Sequence, residues 1–141
     1  MPEVGNMNIR SKPDKDDWEQ LSTLAQKVGE DGALDPAEWR DFLLRVGPTV
    51  GVASEDCEAA LATAQGAAGL VRRVRRCVDE GDARFADALL ASRELSAQGQ
   101  REKARRVLQE LIEKETVHFF KEMAEYCLGT LADPGVDPLP P

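Results

Sequence analysis

Between Trp18 and Leu131 apolar residues recur at intervals of three and four, and no window alternates apolar with polar side chains. That spacing lines one side of an α-helix and does not line one side of a strand. Glycine and proline punctuate it at Gly29 and Gly32, at Gly47-Pro48, at Gly81 and at Gly99. The pattern predicts helix after helix over residues 14–131: an all-α single-domain bundle of five to six helices. Residues 1–13 are polar and aperiodic, and are expected to form a disordered arm. Residues 132–141, Ala-Asp-Pro-Gly-Val-Asp-Pro-Leu-Pro-Pro, are expected to form a disordered tail, because proline lacks the N–H and clashes with the preceding helical turn.

The individual helices have readable starts and stops. The first should begin at Asp14 after Pro13 and run to about Val28, with Trp18, Leu21, Leu24, Ala25 and Val28 as its apolar stripe. Asp35 is placed to cap the second and Pro36 to open it. Trp39, Phe42, Leu43 and Val46 should face inward before Gly47-Pro48 stops the helix. Ser54 should cap a third. A fourth is expected from about Ala64 to Gly81, with Leu70, Val71, Val74, Cys77 and Val78 inside. A fifth should follow Asp82, with Phe85, Ala88, Leu89, Ser92 and Leu95 inside. After Gly99 the period continues unbroken to Leu131, predicting a long C-terminal helix over residues 100–131. Such a helix would be ~48 Å long, whereas a compact chain of this size has a radius of gyration of about 14 Å. Either Thr116-Val117 kinks it, or its end projects with Phe120 and Leu128 exposed, and an exposed end would need a partner.

Composition narrows the function. At 141 residues a chain can bury about 70% of its unfolded surface, so a core forms without disulfides. Eighteen basic residues stand against 26 acidic ones, for a net charge of −8. The excess is spread along the chain: −4 over residues 1–53, −2 over 54–98 and −2 over 99–141. A field of that sign opposes nucleic acid and anionic lipid, whose phosphates are held by clustered cations. No apolar run reaches the ~20 residues of a spanning helix. The start, Met1-Pro2-Glu3-Val4-Gly5, lacks the basic-then-apolar pattern of a secretory signal. The cysteines, Cys57, Cys77 and Cys127, are odd in number and far apart, so they read as small apolar side chains in a reducing, cytoplasmic setting.

Residues 27–38 mimic a calcium loop, with Asp31, Gly32, Asp35 and Glu38 in register. Lys27 and Gly29 occupy the first and third ligand positions, where the ion needs oxygens. The segment is better explained as a proline-started helix. His118 is the only histidine, and no pair of His or Cys has metal-ligand spacing. No glycine-rich phosphate loop or nucleophile elbow is present. No cofactor, metal or catalytic residue is therefore assigned. Arg72, Arg73, Arg75 and Arg76 form a basic cluster, with Arg72 and Arg76 on one helix face; Arg101, Lys103, Arg105 and Arg106 form another. Neighbouring acids and the lack of interleaved aromatics favour ion-paired faces over nucleic-acid binding.

Read together, several segments are similar to the DUSAM domain, a family named for its abundance in myxobacterial proteins and its unknown function. They are Asp17-Trp18 with Leu21 and Leu24, the Gly32-Ala33-Leu34-Asp35 turn, Phe42-Leu43-Leu44-Arg45-Val46, and Val52-Ala53-Ser54-Glu55-Asp56 leading to Ala60-Leu61. The Gly69–Arg76 helix and the Gly99–Leu111 stretch complete the pattern. The resemblance covers residues 16–131 and implies a bacterial all-helical module. It carries over no catalytic residue.

The leading expectation is a non-enzymatic interaction or regulatory module acting through protein–protein contacts. Its candidate contact residues are Arg72, Arg73 and Arg76 on one face, and Phe120, Glu125 and Leu128 near the end of the last helix. That last helix also offers a route to a homodimer. Two other readings are kept: a small acidic immunity-type protein that neutralises a toxin, and a helical-bundle enzyme or ligand binder using His118 with Glu115 and Glu122.

Overall fold

Helix starts and stops in the computed structural model follow local chemistry at most of the expected places. It describes residues 15–131, without the side chains of Lys15, Asp16, Glu30 and Asp31. The expected arm, the expected tail and the start at Asp14 lie outside the described residues. Six helices are present: α1 Lys15–Asp31, α2 Pro36–Thr49, α3 Ser54–Ala60, α4 Ala64–Ala97, α5 Arg101–Lys114 and α6 His118–Leu131. No strand occurs among the described residues, so the chain is all-α.

Helix α1 ends one turn later than its apolar stripe suggested, and Gly32 stops it. The glycine adopts φ 74°, and its N–H donates to Val28 O at 2.7 Å. Only glycine takes that backbone shape without steric cost. Asp35 caps α2 as expected, its Oδ1 accepting from Ala37 N at 3.0 Å, and Pro36 opens the helix. Gly47-Pro48 does not stop α2. The helix continues to Thr49, and the N–H groups of Val50 and Val52 then both donate to Gly47 O. Proline at this point forfeits one hydrogen bond in a final turn that is already tightening.

The residues gather into two compact units, one of residues 15–79 and one of residues 80–131. In the first, Leu21, Leu24 and Val28 of α1 are buried, as are Leu43, Val46, Val50 and Val52 around the end of α2. Val71 and Val74 of α4 are fully buried and Val78 nearly so. Helices α2 and α3 pack against each other, with Cys57 fully buried beside Gly47. Leu34 N donates to Ala64 O at 3.1 Å, which anchors the α1–α2 turn to the start of α4.

In the second unit α5 and α6 pack against each other. Ala104 and Leu108 of α5 and Ala124 and Cys127 of α6 are fully buried. Gly99, at φ 79°, closes α4: Gln100 N donates to Leu95 O at 2.8 Å and Gly99 N to Ser96 O at 3.0 Å. Arg101 Nη1 donates to Leu131 O at 2.8 Å, pinning the last turn of α6. A cation at a helix C-terminus meets the negative end of its dipole.

Two further boundaries differ from expectation. Gly81 does not separate two helices; α4 passes through it for 34 residues. Glycine within a helix costs only about 1 kcal/mol against alanine, and its missing side chain makes room. A Cβ there would stand 2.9 Å from Phe120 Cδ2 and from Val117 Cγ2. The expected long C-terminal helix is instead two helices, broken at Glu115-Thr116-Val117. The Glu115 backbone turns extended, at ψ 130°. Its Oε2 accepts the N–H groups of Thr116 and Val117, at 3.1 and 3.0 Å.

Candidate functional site

The first basic cluster lies on α4 within the first unit. Val71, Val74 and Val78 take the inward positions, which leaves Arg72, Arg73 and Arg76 exposed and Arg75 half-buried. The four guanidinium groups differ in how they are held. Arg75 Nε donates to both oxygens of Asp79, at 3.1 and 3.2 Å, and its Nη1 donates to Ser22 Oγ at 2.6 Å. Arg73 Nη2 lies 3.8 Å from Asp56 Oδ2, a loose surface pair. Arg72 Nη2 reaches Val28 O at 3.5 Å. Neither Arg72 nor Arg76 forms an ion pair among the described residues. Four residues apart, they are neighbours on one face, where like charges repel by about 0.2–0.5 kcal/mol.

In the second cluster Lys103 and Arg106 are exposed with no ion pair among the described residues, whereas the other two cations have partners. Arg101 holds the end of α6, and Arg105 lies 3.9 Å from Glu102. Two further surface arginines are paired within the first unit: Arg40 with Glu58, and Arg45 with Asp17, where Arg45 also sits 5.7 Å over the Phe42 ring. Exposed pairs of this kind contribute under about 1 kcal/mol each.

The end of the last helix is not as expected. Phe120 was expected at the surface and is buried, 4% exposed. Its ring stacks on Phe85 at 6.0 Å and meets Phe119 edge-on at 5.3 Å. With the helix broken at Val117, α6 returns to the unit's own core rather than projecting, and this aromatic cluster is what it brings. Leu128 is half-buried and Glu125 exposed.

His118 is exposed at the first position of α6. Glu115, its proposed partner in acid–base chemistry, is engaged elsewhere. Its side chain is 0% exposed and takes two hydrogen bonds from Arg84, at 3.1 and 2.8 Å, besides the two backbone N–H groups. The carboxylate thus has four donors, the full complement that keeps a buried anion tolerable. No group of three or more His, Cys, Asp or Glu residues that could hold a metal ion occurs among the described residues. No described helix is long and apolar enough to cross a membrane.

Three features were not singled out in the sequence. The Arg84–Glu115 pair spans 31 positions and has no local signal. Trp39 Nε1 is a buried donor with no hydrogen-bond partner, although the sequence marked Trp39 only as an inward residue. Leu90 is 61% exposed, the one large apolar side chain so exposed among the described residues. Its signal was available: it falls off the Phe85–Ala88–Ser92 stripe.

All three cysteines are free, Cys57 and Cys127 buried and Cys77 half-buried. Burial pushes the Cys127 thiol from its ordinary 9.0 up to about 11, with Arg93 opposing weakly. Burial also raises Cys57, against the pull of Arg73. The unfolded chain therefore ionises Cys127 while the folded chain still holds the proton. The stability this contributes is whole below pH 9 and is lost as the pH rises to about 11. Thermal melts across that window should show a shallower loss for Cys127→Ala than for the parent. Maleimide labelling of the native protein at neutral pH should stop at Cys77.

An all-helical chain is the class this fold defines. The chain belongs to the family described as protein of unknown function DUF2379, whose model matches residues 16–131. No curated protein and no solved structure matches the chain.

Proposed function

We propose that this chain is a non-enzymatic interaction module of the DUSAM type, working in the bacterial cytoplasm by presenting Arg72 and Arg76 to an acidic protein surface. The observation that carries this reading is that neither of these exposed arginines is ion-paired among the described residues, while Arg73 and Arg75 beside them have carboxylates. A surface that leaves two neighbouring guanidinium groups without a carboxylate offers sites for carboxylates from outside, Arg72 keeping donors beyond the one that reaches Val28 O. Protein carboxylates fit better than nucleic acid, because no aromatic side chain is interleaved with the arginines for base stacking. Arg73 contributes from the rim. Glu125 and Leu128 on α6 form a lesser candidate surface. A non-enzymatic role is supported by the separation of roles around α6: the exposed His118 has no free carboxylate in Glu115, which Arg84 holds. The free thiols support a reducing compartment.

The test is quantitative affinity purification from the native host with Arg72→Glu/Arg76→Glu beside the parent. A specific protein retained by the parent should fall at least about tenfold with the reversed charges, and it should elute from the parent with moderate salt. An unchanged set of retained proteins would overturn the reading.

A further inference from the structure

Several helical hydroxyls in this chain spend their hydrogen on their own backbone. Thr23 Oγ1 donates to Glu19 O at 3.0 Å, Thr49 Oγ1 to Val46 O at 2.6 Å, Ser92 Oγ to Leu89 O at 3.0 Å and Thr130 Oγ1 to Cys127 O at 2.9 Å. Ser22, exposed on α1, is held differently. Its Oγ accepts from Arg75 Nη1 at 2.6 Å. A guanidinium can only donate, so the oxygen faces Arg75 and the hydroxyl hydrogen points elsewhere. No acceptor meets that hydrogen among the described residues.

The surrounding groups come from two helices of the first unit. Arg72, three residues before Arg75, is its neighbour on α4 and also reaches α1, at Val28 O. Arg76 follows Arg72 by one turn. On α1, exposed Gln26 lies one turn beyond Ser22 on the same face. Gly29 follows, with open space where a side chain would stand. Asp79 takes both contacts of Arg75 Nε, at 3.1 and 3.2 Å. Arg75 is thereby neutralised, and Arg72 and Arg76 are the two charges of this edge without a carboxylate.

We propose that the Ser22 hydroxyl belongs to the binding site, donating to a carboxylate of an acidic helical segment whose charge Arg72 and Arg76 neutralise. The inference rests on the Arg72–Arg76 reading and extends that site across to α1. Arg75 is a positioning residue: it turns the serine oxygen inward and the hydrogen outward. Two carboxylates one turn apart on the partner match the one-turn spacing of Arg72 and Arg76. A phosphate dianion fits less well, because Asp79 beside Arg75 repels a second negative charge.

The test is an NMR titration of the full chain at low ionic strength with a blocked peptide carrying two glutamates four residues apart. The amide signals of Ser22 and Gln26 should shift together with the Nε–H signals of Arg72 and Arg76, and saturate. Ser22→Ala should weaken the peptide about tenfold with an unchanged circular dichroism spectrum, since a hydrogen bond to a charged group is lost at an exposed helical site. Ser22→Thr keeps the hydroxyl and should bind within about threefold of the parent. Ser22→Asp should abolish binding, because its own carboxylate occupies the arginines from within the chain. If Arg72→Glu/Arg76→Glu loses the peptide while Ser22→Ala keeps it, the role of the serine is overturned and the acidic-partner reading stands. A parent without saturable shifts, or one that binds inorganic phosphate more tightly than the peptide, would overturn the proposal, whereas the earlier reading is judged on the proteins retained from the host.

Discussion

Arg84→Met will destabilise the protein by about 3–5 kcal/mol, and removing Glu115 as well will restore part of the loss. The Glu115 side chain is wholly buried, whereas that of Arg84 is 42% exposed. The two halves of the pair therefore fail differently. Without Arg84 the carboxylate keeps only the Thr116 and Val117 N–H groups and stays desolvated with its charge uncompensated, the situation that costs about 3–5 kcal/mol. Without Glu115 the arginine turns to water, and the loss reduces to a small cavity and the buried Val117 N–H, about 2–3 kcal/mol. The double variant Arg84→Met/Glu115→Ala should therefore be more stable than Arg84→Met alone. Urea unfolding of the four proteins checks this. A double variant less stable than Arg84→Met would mean that the carboxylate acts chiefly through the helix break and not as a buried charge.

Gly47→Ala should cost about 1–2 kcal/mol even though alanine is the better helix former. The added methyl would run into Cys57 Sγ, with Val52 Cβ 3.9 Å away. Cys57 is fully buried, so the sulfur has nowhere to move, and overpacking of a closed core costs about 1–3 kcal/mol. Removing the sulfur should cancel that cost. Gly47→Ala/Cys57→Ala should recover to within about 1 kcal/mol of the parent, since one methyl fills the space the thiol vacates and alanine supplies the ~1 kcal/mol of helix preference glycine lacks. The double-mutant cycle read from thermal or urea unfolding gives this coupling directly. Additive effects would show that the two residues do not share the contact.

Much of the helical layout could be read from side-chain spacing and caps. Asp35-Pro36, Gly32 and Gly99 act where local chemistry alone places them, because capping and left-handed turns are decided within a few residues. The inward Val71, Val74 and Val78 and the outward Arg72 and Arg76 follow from the helical period. Gly81 passes within a helix, and of the two outcomes open at Thr116-Val117, a kink or a projecting end, the chain takes a break, for one shared reason. Whether a glycine ends a helix or a strong apolar period is interrupted depends on what packs against it. Here Phe120, Val117 and Glu115 occupy the space that Gly81 leaves, while the Glu115 carboxylate takes up backbone donors that a continuous helix would have used itself.

The candidate surfaces divide along the same line. Which residues carry charge, and which of them share a helix face, is a property of the sequence. Whether a given arginine is already neutralised is not. Arg73 lies near Asp56 of another helix and Arg84 is paired with Glu115, 31 positions away, while Arg76 has no such carboxylate partner among the described residues. Phe120 shows the converse, an aromatic expected outside that the fold places against Phe85. By itself the order of residues determined that this chain is helical, where most helices begin and end, and that it has few candidates for catalysis. Tertiary structure alone decided which charges find partners and that the Phe120 ring is covered by Phe85, because both depend on neighbours that only folding brings within a few ångströms.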